Sequence, residues 1–328
     1  MSEQAGVNIW MRCGYCGMSP IVGPCFRCET CPLGPEIDLC SACYEGYRAG
    51  RVPHPEDQPS ATHVFSRIEP TPATQFAQWL SISSPSRAAP SVPAGFLVRP
   101  EFRYGRESVF GGYAFVARYG TEVVLLTALH VMDELIKNKK LDTTARNPQY
   151  TGKELPAQVT SVRLYDVLKE RWALHELGDV GPMLVLPNAR TADDEPFAAR
   201  DIAAFRVDSP GTLHAAPLAE RDPEPGDPVW LAAAMPDGSR TRRAVCVEST
   251  PRSFIFRYDE TKPIAKHSSG APILDSRGDV VGINTGLGAL SGRDIGHANP
   301  VSSIRAHLGG ALTEQTSRWS FSEKRPLC

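Results

Sequence analysis

Three side chains far apart in this 328-residue chain carry the chemistry of a nucleophile, a base and an orienting acid. They are Ser269 in Ser268-Ser-Gly-Ala-Pro272, His130 at the end of Thr127-Ala-Leu-His130, and Asp201 at the head of Asp201-Ile-Ala-Ala-Phe205. A serine hydroxyl attacks poorly at neutral pH. It becomes effective when an imidazole takes its proton, a carboxylate fixes the tautomer of that imidazole, and backbone N–H groups receive the charge that builds on the attacked carbonyl oxygen. Singly, Thr-Ala-x-His reads as well as a strand end with a satisfied histidine, and Ser-Gly-x-Pro as an ordinary turn. Their occurrence together is what structure alone does not require.

The elements around them are legible. Val123-Val-Leu-Leu126 reads as a buried strand that delivers His130, and Asp201-Ile-Ala-Ala-Phe-Arg-Val207 as a second strand opened by its carboxylate. Ser269 falls on a turn before Gly270. Pro272-Ile-Leu274, the turn Asp275-Ser-Arg-Gly278 and Asp279-Val-Val-Gly-Ile-Asn284 then read as a hairpin. Gly111-Gly-Tyr-Ala-Phe-Val116, Gly226-Asp-Pro-Val-Trp-Leu231 and Gly296-His-Ala-Asn-Pro-Val-Ser-Ser-Ile-Arg305 stand before, between and after these segments.

In order and setting, these segments resemble the chymotrypsin-like (trypsin-like) serine peptidases over residues 95–310. The resemblance implies a mainly β fold of two antiparallel six-stranded β-barrels, with the His and Asp from the first, the Ser from the second, and the active site in the cleft between. It assigns attack to Ser269, proton transfer to His130 and orientation of the imidazole to Asp201. Asp179 also precedes an apolar stretch, but the sequence after Asp201 fits the family better. The backbone N–H groups of Ser269 and His267 would form the oxyanion hole. There the chain departs from the family, which usually has Gly two residues before the nucleophile; histidine is among the non-glycine residues enriched at positive φ, so the turn stays accessible. The segment Thr261-Lys-Pro-Ile-Ala265, expected to lie near the substrate side chain, holds no acid, against a simple preference for Lys or Arg. No Arg-Ile-Val-Gly-Gly type start is present, so activation by cleavage to free a new amino terminus is not expected.

Seven of the nine cysteines fall between Cys13 and Cys43, a density that calls for metal or disulfides. Cys13-x-x-Cys16, Cys28-x-x-Cys31 and Cys40-x-x-Cys43, with His54 and His63, supply eight ligands, enough for two four-coordinate structural zinc ions. A disulfide-stapled secreted domain is the alternative, disfavoured because residues 1–9 are neither basic nor apolar enough for a signal peptide. Cys13-Gly-Tyr-Cys-Gly-Met-Ser-Pro, Ile37-Asp-Leu-Cys-Ser-Ala-Cys-Tyr44 and His63-Val-Phe65 resemble a ZZ-type zinc finger. That resemblance implies interleaved ligation: Cys13, Cys16, Cys40 and Cys43 on one ion, Cys28, Cys31, His54 and His63 on the other. Cys25, which forms Cys25-x-x-Cys28, competes as a ligand. The same resemblance implies a protein or peptide ligand, with Glu36 and Asp38 as carboxylates for a peptide amine.

Residues 8–68 are therefore expected to be the finger, 69–94 a Pro/Ser/Ala-rich linker with a short helix near Phe76-Ala-Gln-Trp-Leu80, 95–310 the peptidase-like domain and 311–328 a C-terminal tail. Polar insertion loops are expected at Lys137 to Glu154 and Arg190 to Glu195. With 35 basic against 37 acidic residues the net charge is −2, which disfavours nucleic-acid binding. No apolar run reaches the ~20 residues a membrane span needs. The expectation is a cytoplasmic, trypsin-like serine endopeptidase whose finger recruits a protein or peptide; the competing class is a zinc-finger adaptor with a peptidase-like domain that no longer turns over. Oligomeric state is not readable.

Overall fold

The structure is a computed structural model. It describes residues 6–8, 11, 13–28, 38–53, 63–104, 107–132, 159, 161–167, 175–181, 183–184, 186, 189, 200–208, 210–259, 267–290 and 293–322. Cys31, Glu36, His54, both expected insertion loops and Thr261-Lys-Pro-Ile-Ala265 lie outside the described residues.

The finger holds β1 (Val7–Asn8), β2 (Ile21–Val22), β3 (Cys25–Cys28), β4 (Asp38–Cys40), α1 (Ser41–Arg48) and β5 (Phe65–Ile68). β3 is the centre of a three-stranded sheet between β4 and β5, and β1 pairs with β2. Ile21, Leu39 and the buried cysteines fill its small interior, and Phe26 stacks on Tyr44 at 3.9 Å. So few apolar side chains cannot offset the entropy of ordering such a segment, which makes the cysteines its structural support.

Next come α2 (Ala73–Ser81), then β6 (Leu97–Tyr104), β7 (Glu107–Phe110), β8 (Ala114–Tyr119), β9 (Glu122–Thr127), β10 (Ser161–Asp166), β11 (His175–Val180), β12 (Ala203–Arg206) and β13 (Ala216–Pro217). The path β11-β10-β6-β8-β9-β12 is the first six-stranded unit, with β7 against β6 and β13 against β8. Its two ends meet just beyond β11. Gly181 N–H donates to Arg206 O at 2.9 Å, Leu184 N–H to Ala204 O at 2.8 Å, and Met183 bridges Phe205. β10 shows the alternation expected of a strand with one wet face: Val162 and Leu164 point in, Arg163 and Tyr165 out.

β14 (Pro228–Ala232), β15 (Thr241–Ser249), β16 (Phe254–Tyr258), β17 (Pro272–Leu274), β18 (Val280–Leu290) and β19 (Arg293–Pro300) close a second barrel in the order β14-β15-β16-β19-β18-β17. Phe254, Phe256 and Tyr258 alternate inward along β16, and one continuous apolar core runs through both barrels. The two-barrel fold read from the sequence is the fold observed.

The short helix expected near Phe76-Ala-Gln-Trp-Leu80 is present as α2, and two stretches show more order than a linker and a tail imply. The linker is a docked strap: Phe76 and Trp79 of α2, one turn apart, pack on Val245, Val247, Ile255 and Ile295, the outward side chains of the second barrel. Arg257 donates to Trp79 O at 3.2 Å and to Ile82 O at 2.6 Å, satisfying carbonyls at the helix end. Farther along, Arg243 donates to Pro85 O at 2.8 Å and Arg240 to Val92 O at 3.2 Å. At the other end, α3 (Val301–Ser322) runs through the residues expected to be tail. Its first turn is held by Asp222, which accepts from Ser302 N–H at 2.8 Å. Buried Ile304, Leu308 and Ala311 give the first part of the helix a core-facing stripe.

Candidate active site

β9 is an apolar, β-branched run that the first barrel buries along its second half. It ends at Thr127, and a single 3-10 turn, Leu129–Met132, follows. Leu129, Val131 and Met132 anchor that turn in the core, leaving the His130 side chain 22% exposed. β12 pairs antiparallel with β9 so that Ala203 faces Thr127. Running back two residues from Ala203 and on from Thr127 brings Asp201 to His130. The register of two buried strands thus creates the pair.

The contact is tight. His130 Nδ1 lies 2.6 Å from Asp201 Oδ2, and His130 N–H donates to Asp201 Oδ1 at 3.0 Å. Asp201 is fully buried. A carboxylate can only accept, so Nδ1 carries the proton in this contact. Across the domain boundary, Asn299 of β19 donates from Nδ2 to Asp201 O at 3.4 Å. Asp179, the rejected candidate, sits on β11 with its carboxylate on Arg163 at 3.3 Å.

Ser269 occupies the turn before β17. Its carbonyl accepts from Tyr113 N–H at 2.8 Å, while Tyr113 O accepts from the Thr127 hydroxyl at 2.6 Å. One residue, Tyr113, therefore joins the Ser269 turn to the end of the strand that leads to His130. The approach depends on glycine. A Cβ at Gly112 would strike Ser269 O, and one at Gly270, where φ is +80°, would strike Tyr113 O and Thr127 Oγ1. His267 has φ +58°, the one non-glycine residue at positive φ among the described residues. This is the backbone class expected at its position.

Thr127, Tyr113 and Asn284 were not singled out from sequence. Thr127 and Asn284 had a signal: each is a polar residue directly after a run of apolar, buried strand positions. His297 on β19 has Nδ1 3.3 Å from Thr285 Oγ1, and burial, opposed by the charge of Asp201, pushes its pKa down to about 4, so it is neutral at pH 7. His307 hydrogen-bonds within its helix, Nδ1 to Ser303 O at 2.9 Å.

In the finger, the ligand atoms of Cys13, Cys16, Cys40 and Cys43 all lie within 4.8 Å of one another. Tetrahedral zinc with about 2.3 Å bonds separates its sulfurs by about 3.8 Å, and Cys16 Sγ lies 3.8 Å from Cys40 Sγ. That spacing is far too long for a disulfide, and no described cysteine is in one. Although burial opposes it, hydrogen bonds from the backbone of Cys40, Cys16 and Tyr15 bring the Cys13 thiol down to about 7. Four soft donors at this spacing are compatible with one zinc ion. Cys28 Sγ is 3.3 Å from His63 Nδ1, while their expected partners Cys31 and His54 lie outside the described residues. Cys25 is buried in β3 outside the four-thiol group, and burial raises its thiol pKa. Asp38, expected to face a peptide amine, is engaged by Arg27 through bonds of 3.0 and 3.2 Å.

Comparison with known proteins agrees with this geometry. The model of a trypsin-like peptidase domain family matches residues 112–283, more than half of the chain. Similar solved structures include the HtrA-type protease AlgW with tripeptide, at 17% identity and TM-score 0.40, covering 74% of this chain and 64% of that one. A serine endoprotease from Yersinia pestis shares 14% identity at TM-score 0.39, covering 74% and 66%. An inactive form of Rv3671c from M. tuberculosis H37Rv shares 15% identity at TM-score 0.39, covering 71% and 90%. The chain thus spans slightly less than two thirds of the length of the first two. No curated protein matches it. The matched residues run from Gly112, beside the Ser269 turn, through Ser269 to Ile283, and the chain belongs to the trypsin-like peptidase domain family.

Proposed function

We propose that this chain is a serine endopeptidase that cleaves through an acyl-enzyme, with His130, Asp201 and Ser269 as its triad. The observation that carries the reading is the bond between His130 Nδ1 and Asp201 Oδ2 at 2.6 Å, with Tyr113 linking the Ser269 turn to Thr127, three residues before His130. In this mechanism His130 Nε2 takes the Ser269 hydroxyl proton as Oγ attacks the scissile carbonyl. The tetrahedral oxyanion is received by the N–H groups of Ser269 and His267. The imidazolium, stabilised by Asp201, then returns the proton to the leaving amine, and a water repeats the sequence to release the acid. Beyond Asn284, β18 pairs only with β19 among the described residues, which leaves an edge along which an extended peptide can add as a strand.

The finger is proposed to hold two structural zinc ions, the second on Cys28, Cys31, His54 and His63, and to recruit a protein or peptide. The Cys28–His63 approach supports the second ion, and exposed Tyr15 and Met18 beside the first knuckle support a contact surface. Zinc thiolates and a buried, unpaired Cys246 thiol suit a reducing, cytoplasmic compartment. No helix among the described residues is long and apolar enough to cross a membrane.

The test is covalent labelling of the full chain with a fluorophosphonate probe, compared with Ser269→Ala. Labelling that disappears in the variant supports the peptidase reading; labelling that is absent or indifferent to Ser269 leaves the adaptor reading in its place.

A further inference from the structure

Asn284 sits at the point where β18 passes behind the nucleophile turn and is 1% exposed. Four hydrogen bonds run from it to that turn. Its backbone N–H donates to Ala271 O at 2.8 Å, and its carbonyl accepts from Gly270 N–H at 2.8 Å. Its side-chain Nδ2 donates to Ser268 O at 3.0 Å and to Ser268 Oγ at 3.1 Å. Ser268 O also accepts from Ala271 N–H at 3.0 Å, so this carbonyl is held from two directions.

The consequence lies in one peptide plane. The carbonyl of Ser268 and the N–H of Ser269 belong to the same trans amide and point opposite ways, so fixing the oxygen fixes the direction of the hydrogen. We infer that the Asn284 carboxamide is a positioning residue that aims the Ser269 N–H into the oxyanion hole by holding the far end of its peptide plane, an inference that rests on the peptidase reading above.

The orientation of the amide follows from its surroundings. Turning it over would set Oδ1 against Ser268 O and lose both donor contacts. As placed, Oδ1 is buried without a partner among the described residues, a cost that an apolar side chain would avoid. The position therefore works against stability on one side of the amide and for alignment on the other.

The experiment measures fluorophosphonate labelling of the full chain, resolving the maximal rate from the half-saturating probe concentration, alongside Tm. Asn284→Leu keeps the size but cannot donate to the Ser268 carbonyl, and Asn284→Ala removes the group. Mis-aiming one oxyanion donor is expected to lower the maximal labelling rate by about tenfold to a hundredfold, with half-saturation within about threefold and Tm close to that of the unmodified chain. Unchanged rates in both variants overturn the inference, as does a loss of rate that follows a loss of Tm, which would make Asn284 a residue of the barrel core. A wild-type chain that fails to label at Ser269 removes the peptidase reading itself, and the inference with it.

Discussion

Both oxygens of the Asp201 carboxylate are engaged by one residue, Oδ2 by the His130 ring and Oδ1 by its backbone N–H. A salt bridge placed for stability alone has no reason to grip the backbone of its partner as well. Here the double contact fixes both the imidazole plane and its tautomer, and the burial of Asp201 keeps water from competing. Asp201→Asn preserves the shape but turns one acceptor into a donor facing Nδ1, which favours the tautomer that carries its proton on Nε2, where the base must be empty. If the chain is a peptidase, turnover is expected to fall by on the order of 10⁴ while substrate half-saturation changes little, measured on a peptide ester against the unmodified chain. A residual rate within tenfold of wild type would show that Asp201 does not orient the base. His267 is the complementary case, a side chain where the turn wants glycine; its φ of +58° lies in the left-handed region that histidine tolerates better than β-branched residues do.

At the scale of elements, what could be read from sequence depended on how locally each signal is written. Val123 to Leu126, Asp201 to Val207 and the hairpin around Asp275 to Gly278 carry their own periodicity and turn residues, so the strands and the order of the site residues were legible. The strap was not. Residues 69–94 look like a linker because their composition is Pro, Ser and Ala, and the side chains that hold them are scattered over distant strands: Arg240, Arg243, Val245, Val247, Ile255, Arg257 and Ile295. Only the closed barrel gathers these into one surface. Asn284 showed its polarity beside apolar neighbours but not its contacts, since its partners Ser268, Gly270 and Ala271 lie on the turn before β17. Because Trp79 is 3% exposed and sits at the centre of this contact, Trp79→Ala is expected to cost about 3–5 kcal/mol of docking or folding stability. The measurement is limited proteolysis within residues 81–93 together with thermal unfolding. New cleavage there with the barrels still folded would locate the loss in the strap, whereas unchanged cleavage and Tm would mean that α2 does not bear on the barrel.

Across the whole molecule, two kinds of stability are joined end to end. The barrels share a continuous apolar core and need no ligand, while the finger has a handful of apolar residues and a cluster of thiols. They meet where Val7 bridges Thr71 and packs against the cluster that contains Phe76 and Trp79, so the finger touches the strap. Structural zinc sites of this size draw about 10–16 kcal/mol from the metal at neutral pH, which makes the finger dependent on it and the barrels indifferent. Native mass spectrometry of the full chain is expected to show two zinc ions, falling by one in Cys13→Ser. A strong chelator should abolish the finger's ordered structure and leave the barrel unfolding transition in place. A single ion in the unmodified chain would confine metal to Cys13, Cys16, Cys40 and Cys43 and make Cys28 and His63 a hydrogen-bonded pair. Loss of the barrel transition on chelation would show instead that the strap carries the finger's metal dependence into the catalytic half.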